Sequence, residues 1–271
     1  MKTDNLVTNE CTGCSACKNI CPVNAIKMVE NSEGFLFPCI DEDVCVNCEL
    51  CKKTCPIIQK LTKESEKAEY VYALAGNDEI RKNSSSGGIF SIIAEYILEL
   101  DGVVCGAAFS DDFTKVEHII ISDKKDLYKL QTSKYVQSDI NNVFKEVKNL
   151  LTKNKIVLFS GTPCQVAGLN NFLGKDYENL ITIDILCHGT PSPKIWRDYL
   201  REIIKNKKIK NVNFRDKKEG WKTLLSITYE NDFKEFFQVK TNAYFRGFLN
   251  NLIVRKSCSS CQYAKLNRVS D

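Results

Sequence analysis

Several features that mark membrane, secreted and nucleic-acid-binding proteins are missing from this sequence of 271 residues. Its longest apolar helical stretch, IFSIIAEYILEL, contains Glu95 and Glu99, so we expect no membrane span. The start MKTDNLVTNECTGC carries acidic residues and has no apolar core, so we expect no secretory signal and a cytoplasmic location. Because the net charge is only +4 and arginine clusters are absent, the sequence offers no surface typical of nucleic-acid binding.

Two further absences concern local patterns. No GxGxxG follows a predicted strand, so the common dinucleotide-binding fingerprint is missing. Apart from one duplicated cysteine pattern, the sequence contains no repeat and no low-complexity segment. The basic tract KNKKIKNVNFRDKK, residues 205–218, is interpreted as a solvated helix end and loop.

Cysteine, in contrast, is abundant, with 14 residues. In a chain without a secretory signal, this number indicates metal ligands rather than disulfides. Eight of the cysteines lie in CTGCSACKNICP, residues 11–22 (the first cysteine run), and CVNCELCKKTCP, residues 45–56 (the second cysteine run). Both runs have the spacing C-x2-C-x2-C-x3-C-P, which is typical of ferredoxins with two 4Fe–4S clusters.

In such ferredoxins the fourth cysteine of each run ligates the cluster of the other run. We therefore predict one cluster on Cys11, Cys14, Cys17 and Cys55, and a second cluster on Cys45, Cys48, Cys51 and Cys21. The alternative is structural zinc, which usually takes four ligands from paired C-x2-C knuckles. A third cysteine at the same spacing, used twice, fits zinc poorly. Residues 1–60 are thus predicted to form a two-cluster ferredoxin domain that carries single electrons.

The rest of the chain has the pattern of a mixed α/β domain. Segment 61–69 is polar and charged and is predicted to be a linker, with a second domain at 70–271. Predicted strands lie at 71–77, 102–109, 116–122, 155–160 and 180–187, predicted helices at 89–100, 139–152, 161–174 and 193–206, and a predicted hairpin at 223–240. This order indicates a parallel layer with the hairpin on an antiparallel edge. The predicted fold class is α+β: a ferredoxin-like domain followed by an α/β domain with a mixed sheet.

Helix 89–100 has apolar residues at helical spacing, which predicts its buried face. These residues are Ile89, Ile92, Ile93, Tyr96, Ile97 and Leu100.

A further set of cysteines lies in the second domain. Cys164 follows strand 155–160 and Cys187 ends strand 180–187, so both are expected at the carboxyl edge of the sheet, where cofactors bind. Cys258 and Cys261 form a C-x2-C pair and would complete a set of four ligands. The alternative is that Cys164 and Cys187 are buried apolar residues, and the residues alone leave both interpretations open.

A resemblance to a known family follows from these motifs taken together. The ferredoxin pair, SSSGG, KYVQSD, LFSGTPCQVAGL, CHGTPSP, FRDKKEGWK and RKSCSSCQYAKLNR resemble the coenzyme F420 hydrogenase/dehydrogenase beta-subunit family, in particular its bacterial branch often found beside surface-polysaccharide genes. The resemblance implies an iron–sulfur flavoprotein that passes electrons between clusters, FAD and a deazaflavin. It also implies a third 4Fe–4S cluster on Cys164, Cys187, Cys258 and Cys261, with Cys39 and Cys105 as structural thiols or substitute ligands.

The implied flavin site rests on two segments. Ser84, Ser85, Ser86, Gly87 and Gly88 lead into helix 89–100, whose first amides would suit a phosphate; the alternative is a serine N-cap with a flexible loop. Lys134, Tyr135 and Ser138 match the KYxxS segment of the family, which suggests a place beside the flavin. Lys134 and Lys222 are the candidate cations for a reduced flavin, whereas His188 is expected to be structural.

The resemblance further implies an oxidoreductase that works with a redox partner protein or ferredoxin and with a small-molecule hydride carrier. Two alternatives stay open: an electron-transfer subunit without catalysis that docks a reductase, and an FAD-dependent enzyme of surface-polysaccharide biosynthesis. The sequence stops at NRVSD, where the family usually continues with a segment containing glycine and aspartate. We therefore expect the flavin domain to be incomplete at its C-terminal end.

Overall fold

The cysteine runs of the N-terminal part frame two short helices. In this computed structural model, residues 9–59, 77–205, 207–220, 224–264 and 269–270 are described. The predicted linker 61–69 lies outside them, and so does the predicted strand 71–77 except for Asn77. Helices α1 (Ala16–Ile20) and α2 (Leu50–Thr54) are each preceded by a residue in the left-handed conformation, Ser15 at φ 62° and Glu49 at φ 57°. These residues occupy equivalent positions in the two runs, so the backbone repeats the duplication in the sequence.

A β-hairpin lies between these two helices in the chain. Strands β1 (Ile26–Glu30) and β2 (Leu36–Ile40) pair antiparallel, with Ile26 opposite Ile40. Gly34, at φ 81°, forms part of the connecting turn. A Cβ at Gly34 would clash with Lys194 of the second domain, so the turn needs glycine for its backbone and for its close contact.

The second domain is built on a mixed sheet of five strands. The strands are β3 (Val103–Phe109), β4 (Val116–Ile121), β5 (Ser138–Asp139), β6 (Val157–Gly161) and β7 (Leu180–Asp184), in the order β5-β4-β3-β6-β7. Only β3 and β4 pair antiparallel, whereas the other neighbours are parallel. The predicted mixed sheet is therefore confirmed.

Helices cover both faces of this sheet. Helices α5 (Val143–Thr152) and α6 (Pro163–Leu173) pack on one face, and α4 (Ile89–Glu99) and a 3-10 helix (Lys124–Lys129) pack on the other. The short helix α3 (Asp78–Lys82) precedes α4. None of the described helices has the length and apolar character needed to cross a membrane.

A second sheet lies beyond the first one. Strands β8 (Ile209–Asn213), β9 (Leu224–Tyr229) and β10 (Lys234–Gln238) form a separate antiparallel sheet that shares an aromatic core with α7 (Pro193–Ile204) and α8 (Ala243–Leu249). The hairpin is confirmed, but its position on an edge of the main sheet is wrong. The interpretation of residues 205–218 as helix end and loop is also wrong, because β8 lies there and Phe214 is fully buried.

Two further expectations need correction. The buried residues of α4 are Ser91, Ala94 and Ile97, whereas Tyr96 is 60% exposed. Apolar residues occur around most of this helix, and the small side chains mark the face that contacts the sheet. Strand β7 ends at Asp184, opposite Gly161, so Cys187 lies three residues past the strand rather than at its end.

The ferredoxin part is docked on the second domain through α1. Helix α1 contacts α5 and α6, and a Cβ at Gly168 of α6 would lie 3.0 Å from Cys14 Sγ. At the periphery, Ser192 Oγ donates to the carbonyl of Glu33, and Arg197 pairs with Glu30 at 2.6 Å. The first cysteine run thus faces the second domain directly.

Candidate metal centres and flavin site

The four cysteines of the second domain meet at one cavity. It has a volume of about 280 Å³, and its lining includes Cys164, Cys187, Cys258 and Cys261; we refer to it as the junction cavity. Cys164 is the second residue of α6, whose start is held by Thr162 and Gln165 in a capping box. Cys258 and Cys261 flank the end of a 3-10 helix, Lys256–Ser260. The long-range topology of the chain therefore brings three separate segments to this cavity.

Hydroxyl groups surround these thiols. Thr162 Oγ1 lies 3.1 Å from Cys164 Sγ, and Thr190 Oγ1 lies 3.7 Å from Cys258 Sγ. The Oγ of Ser257 is buried at the cavity and has no hydrogen-bond partner among the described residues. Hydrogen bonds to sulfur are one means by which proteins tune iron–sulfur clusters, and hydroxyl groups lie beside two of these thiols.

The first cysteine run lines a second, smaller cavity together with a cysteine from the second run. Cys11, Cys14 and Cys17 are joined there by Cys55. Burial raises the pKa of the Cys14 thiol to about 12, and that of Cys164 to about 11. Such thiols stay protonated in the free chain, whereas a bound metal would favour the thiolates.

Cysteines of the second run form a separate group around Cys21. Cys21, whose Sγ accepts from the backbone amide of Ala25 at 3.2 Å, packs in one apolar cluster with Cys17, Cys45 and Cys51. Cys48 is exposed. The structure thus brings Cys21 to the second run and Cys55 to the first run.

Thr12 connects the two cavities nearest the domain boundary. It lines both the junction cavity and the cavity of the first run. Cys164 lies close enough to Cys14 to contribute to the raised pKa of the Cys14 thiol. The first run is therefore a direct neighbour of the junction cavity.

These arrangements suit clusters better than single ions. In the described part of the chain, no three histidine, cysteine or acidic side chains converge closely enough to hold one metal ion. Cavities lined by four thiols nevertheless match the all-cysteine donor set of a 4Fe–4S cluster. Of the remaining thiols, Cys105 is fully buried in the core of the main sheet, and Cys39 lies on β2, opposite Lys27.

The serine and glycine loop contacts the other predicted flavin segment. Ser85 Oγ accepts from the backbone amide of Ser133 at 2.6 Å. The Ser85 carbonyl accepts from Arg215 Nη2 and Lys217 Nζ, each at 3.2 Å. Gly88 precedes α4 at φ 94°, a conformation that favours glycine.

Ser86 is exposed, Gly87 is half-buried and Gly88 is buried.

The three residues of the KYxxS segment make internal contacts. The Lys134 ammonium donates to the carbonyls of Lys129, Gln131 and Thr132 at 2.7–3.3 Å. Ser138 Oγ accepts from Gln165.

The Tyr135 ring packs against Phe214, Phe245 and Phe248, and its hydroxyl accepts from Arg215 Nη1 at 3.2 Å. Lys222 lies outside the described residues. His188 packs edge-on against Phe248 and lines the junction cavity.

Sequence reasoning missed two residues at the boundary between the two parts. Arg255 and Gln137 contact the loop of Cys11 and Thr12. Arg255 immediately precedes KSCSSC, and Gln137 lies inside KYVQSD, so both belong to quoted motifs. Their contacts could not be predicted from the sequence, however, because their partners are more than 100 positions away in the sequence.

Comparison with protein families assigns all three parts of the chain. Residues 70–145 match the N-terminal model, and residues 154–271 the C-terminal model, of the coenzyme F420 hydrogenase/dehydrogenase beta subunit. The chain belongs to this family. Residues 10–57 match a 4Fe–4S dicluster domain, so the protein carries an iron–sulfur domain together with both family regions. No curated protein matches the chain.

Among solved structures, one similar chain comes from the F420-reducing NiFe hydrogenase complex of Methanosarcina barkeri. It is 17% identical, with a TM-score of 0.41, and the match covers 62% of this protein. This protein spans 59% of the length of that chain.

Proposed function

We propose that this protein is an iron–sulfur flavoprotein oxidoreductase that exchanges electrons between a two-electron hydride carrier and a one-electron protein partner. The observation that carries the proposal is the junction cavity, where four cysteines lie next to the first cysteine run. In the proposed assignment, Cys164, Cys187, Cys258 and Cys261 hold a third 4Fe–4S cluster. A bound flavin would accept a hydride and release electrons singly, and the clusters would carry them onward.

The positions of the three candidate cluster sites support an order for electron transfer. Thr12 lines the two cavities closest to each other, so electrons would pass between the junction cavity and the cluster of the first run. The cluster of the second run, with the exposed Cys48, would lie at the outer end. Val44 and Val46, both largely exposed, surround that end and suit the docking of a redox protein or ferredoxin.

The flavin assignment rests on charge at the start of α4. Arg215 and Lys217 contact the Ser85 carbonyl, and the Nε of Arg215 is buried without a partner among the described residues. Cations beside the first amides of a helix favour an anionic group. We assign this position to the phosphates of FAD, with Ser85, Ser86, Gly87 and Gly88 as the contacting loop and with Lys134, Tyr135 and Ser138 behind it.

One observation favours a second candidate function. The polar groups of Lys134 and Ser138 already have protein partners, and Tyr135 is part of an aromatic core. A chain in which these residues are purely structural would hold clusters but no flavin. Such a protein would be an electron-transfer subunit of a larger reductase, and the hydride chemistry would belong to its partner.

Anaerobic purification of the full chain, followed by quantification of iron, sulfide, zinc and flavin, tests both candidates. The main proposal expects about 12 irons per chain, four for each cluster, and bound FAD. Turnover of a deazaflavin with an artificial one-electron acceptor would then separate this activity from an FAD-dependent reaction on a polysaccharide precursor. Iron without flavin would support the electron-transfer subunit, and stoichiometric zinc with little iron would overturn both.

A further inference from the structure

Arg255 is an arginine buried between the two candidate cluster sites nearest the domain boundary. Its side chain is 1% exposed, which makes it one of the largest fully buried side chains in the described structure. Its Nε donates to the carbonyl of Cys11 at 2.6 Å, in the first cysteine run. Its own carbonyl accepts from the amide of Cys258 at 2.9 Å, a residue of the junction cavity.

The ferredoxin part is shaped to receive this guanidinium. The guanidinium carbon lies 4.0 Å from the centre of the Phe37 ring and 5.6 Å from that of Phe35. A Cβ at Gly13, which has φ +71°, would lie 2.9 Å from Arg255 Nη1 and 2.5 Å from Gln137 Nε2. Glycine at this position therefore provides the space that the arginine occupies.

The side-chain hydrogen bonds of Arg255 do not neutralise its charge. Nη1 donates to Gln137 Oε1 at 3.3 Å, and Nε donates to a carbonyl, so both acceptors are uncharged. Nη2 is buried and has no partner among the described residues. Cys11, Cys164 and Cys258 lie close enough to Arg255 to interact with its charge once they are negatively charged. Burying a charged group without a counter-charge is costly, so the site is incomplete without a negative group at these cysteines.

A 4Fe–4S cluster with four thiolate ligands supplies that negative charge. The cluster becomes more negative by one charge when it is reduced, and a fixed positive charge in a poorly solvated position favours the reduced form. Net charge and burial are known determinants of cluster potential. We propose that Arg255 is a positioning and potential-tuning residue that raises the reduction potentials of the first-run cluster and the junction cluster together.

This inference rests on the proposed assignment of the clusters. It adds that the two clusters on either side of Arg255 respond to the same charge, whereas the second-run cluster does not. The protein therefore contains its own internal reference, because the second-run cluster reports any general damage to the ferredoxin part.

The test is a potentiometric titration of the full, anaerobically reconstituted protein, followed by electron paramagnetic resonance. For Arg255→Gln we expect the ratio of reduced to oxidised form of both neighbouring clusters to fall about tenfold at a fixed potential. This corresponds to a reduction potential that is lower by about 59 mV for a one-electron couple. The second-run cluster should keep its potential. Arg255→Lys retains the charge and should move the two potentials much less than Arg255→Gln does.

Two further variants separate charge from structure. Gln137→Glu places a carboxylate next to Arg255 Nη1 without removing the arginine, and should lower the same two potentials. If Arg255→Gln fails to assemble its clusters, Gln137→Glu still tests whether the charge of Arg255 tunes the two potentials. Arg197→Gln removes another interdomain arginine, whose partner is Glu30, and should leave all potentials unchanged.

Several outcomes would overturn the inference. Unchanged potentials in Gln137→Glu or in an assembled Arg255→Gln protein would refute the tuning role, and equal shifts in Arg255→Lys and Arg255→Gln would show a structural effect only. If the wild-type protein holds two clusters, the third-cluster assignment fails, and the first-run cluster still tests Arg255 through the Cys11 contact. A wild-type protein without clusters refutes the proposed function itself.

Discussion

Gly168 provides a sharp test of how the ferredoxin part sits on the second domain. It lies in the interior of α6, where replacement of glycine by alanine normally stabilises a protein by about 0.5–1 kcal/mol. Here the new Cβ would lie 3.0 Å from Cys14 Sγ and 3.1 Å from Cys14 Cβ. Because both contacts are tighter than ordinary packing, Cys14 or α6 must move by a few tenths of an ångström.

The gain from replacing a helix glycine and the cost of the tight contacts with Cys14 have opposite signs, and we expect the cost of the contacts to be larger. Overpacking in a close-packed core costs about 1–3 kcal/mol, so we expect Gly168→Ala to change the free energy of unfolding by about 0–2 kcal/mol in the destabilising direction. Because the displaced Cys14 is a predicted ligand, we expect Gly168→Ala to weaken or abolish binding of the first-run cluster while the protein remains folded. The midpoint of thermal unfolding should fall by up to about 4–8 °C, at about 2–4 °C per kcal/mol.

The assay combines iron and sulfide content after anaerobic reconstitution with thermal unfolding by circular dichroism. Gly247→Ala in α8 is the matched control, since its Cβ would also lie 3.1 Å from a neighbour, but that neighbour is the side-chain methyl of Ile253. We expect the control to keep its full iron content. If Gly168→Ala retains all its iron and unfolds at a higher temperature than the wild type, the proposed contact with Cys14 is wrong.

Three further predictions concern other parts of the chain. Cys21→Ser should weaken the paramagnetic signal of the second-run cluster and spare the first-run cluster; the opposite result would contradict the crossed assignment. Gly88→Val should abolish flavin retention at unchanged iron content, because the backbone conformation at φ 94° excludes a branched side chain. Undiminished flavin content in this variant would show that the loop is not part of the flavin site. Burial lowers the pKa of His118 to about 4 from 6.5. The unfolded chain therefore binds more protons between these values, and stability should fall by about 2 kcal/mol as the pH drops from 6.5 to 5. His118→Phe should remove that part of the decline in urea titrations, and an unchanged pH profile would show that His118 is not the group responsible.

The ferredoxin part of this protein was readable from the sequence because its information is local. Three thiols within seven residues can reach one cluster whatever the rest of the chain does. Hydrophobic period also predicted α5 and four of the five strands of the main sheet, since these elements bury one face or both. The two-residue strand β5 was missed, and the helix predicted from residue 139 begins only at Val143. The same rule failed for α4, where apolar residues surround the helix and the contact face is chosen by the small Ser91 and Ala94.

Strand β8 was missed because three of its five residues are polar and its burial does not alternate. Lys210 and Asn211 are exposed, while Val212 and Phe214 are buried against α7 and α8. A short strand with so few apolar positions is recognisable only once its partner β9 is known.

Tertiary structure alone decided which distant groups meet. Cys164 and Cys258 reach one cavity because β6, the loop after β7 and the C-terminal segment meet at the same edge of the sheet, an outcome of topology rather than of spacing. The same holds for Arg255, whose guanidinium ends between Phe37 and the carbonyl of Cys11. The sequence determined which residues are predicted to bind clusters, and the packing of the two parts determined which candidate cluster sites are neighbours and which charge lies between them.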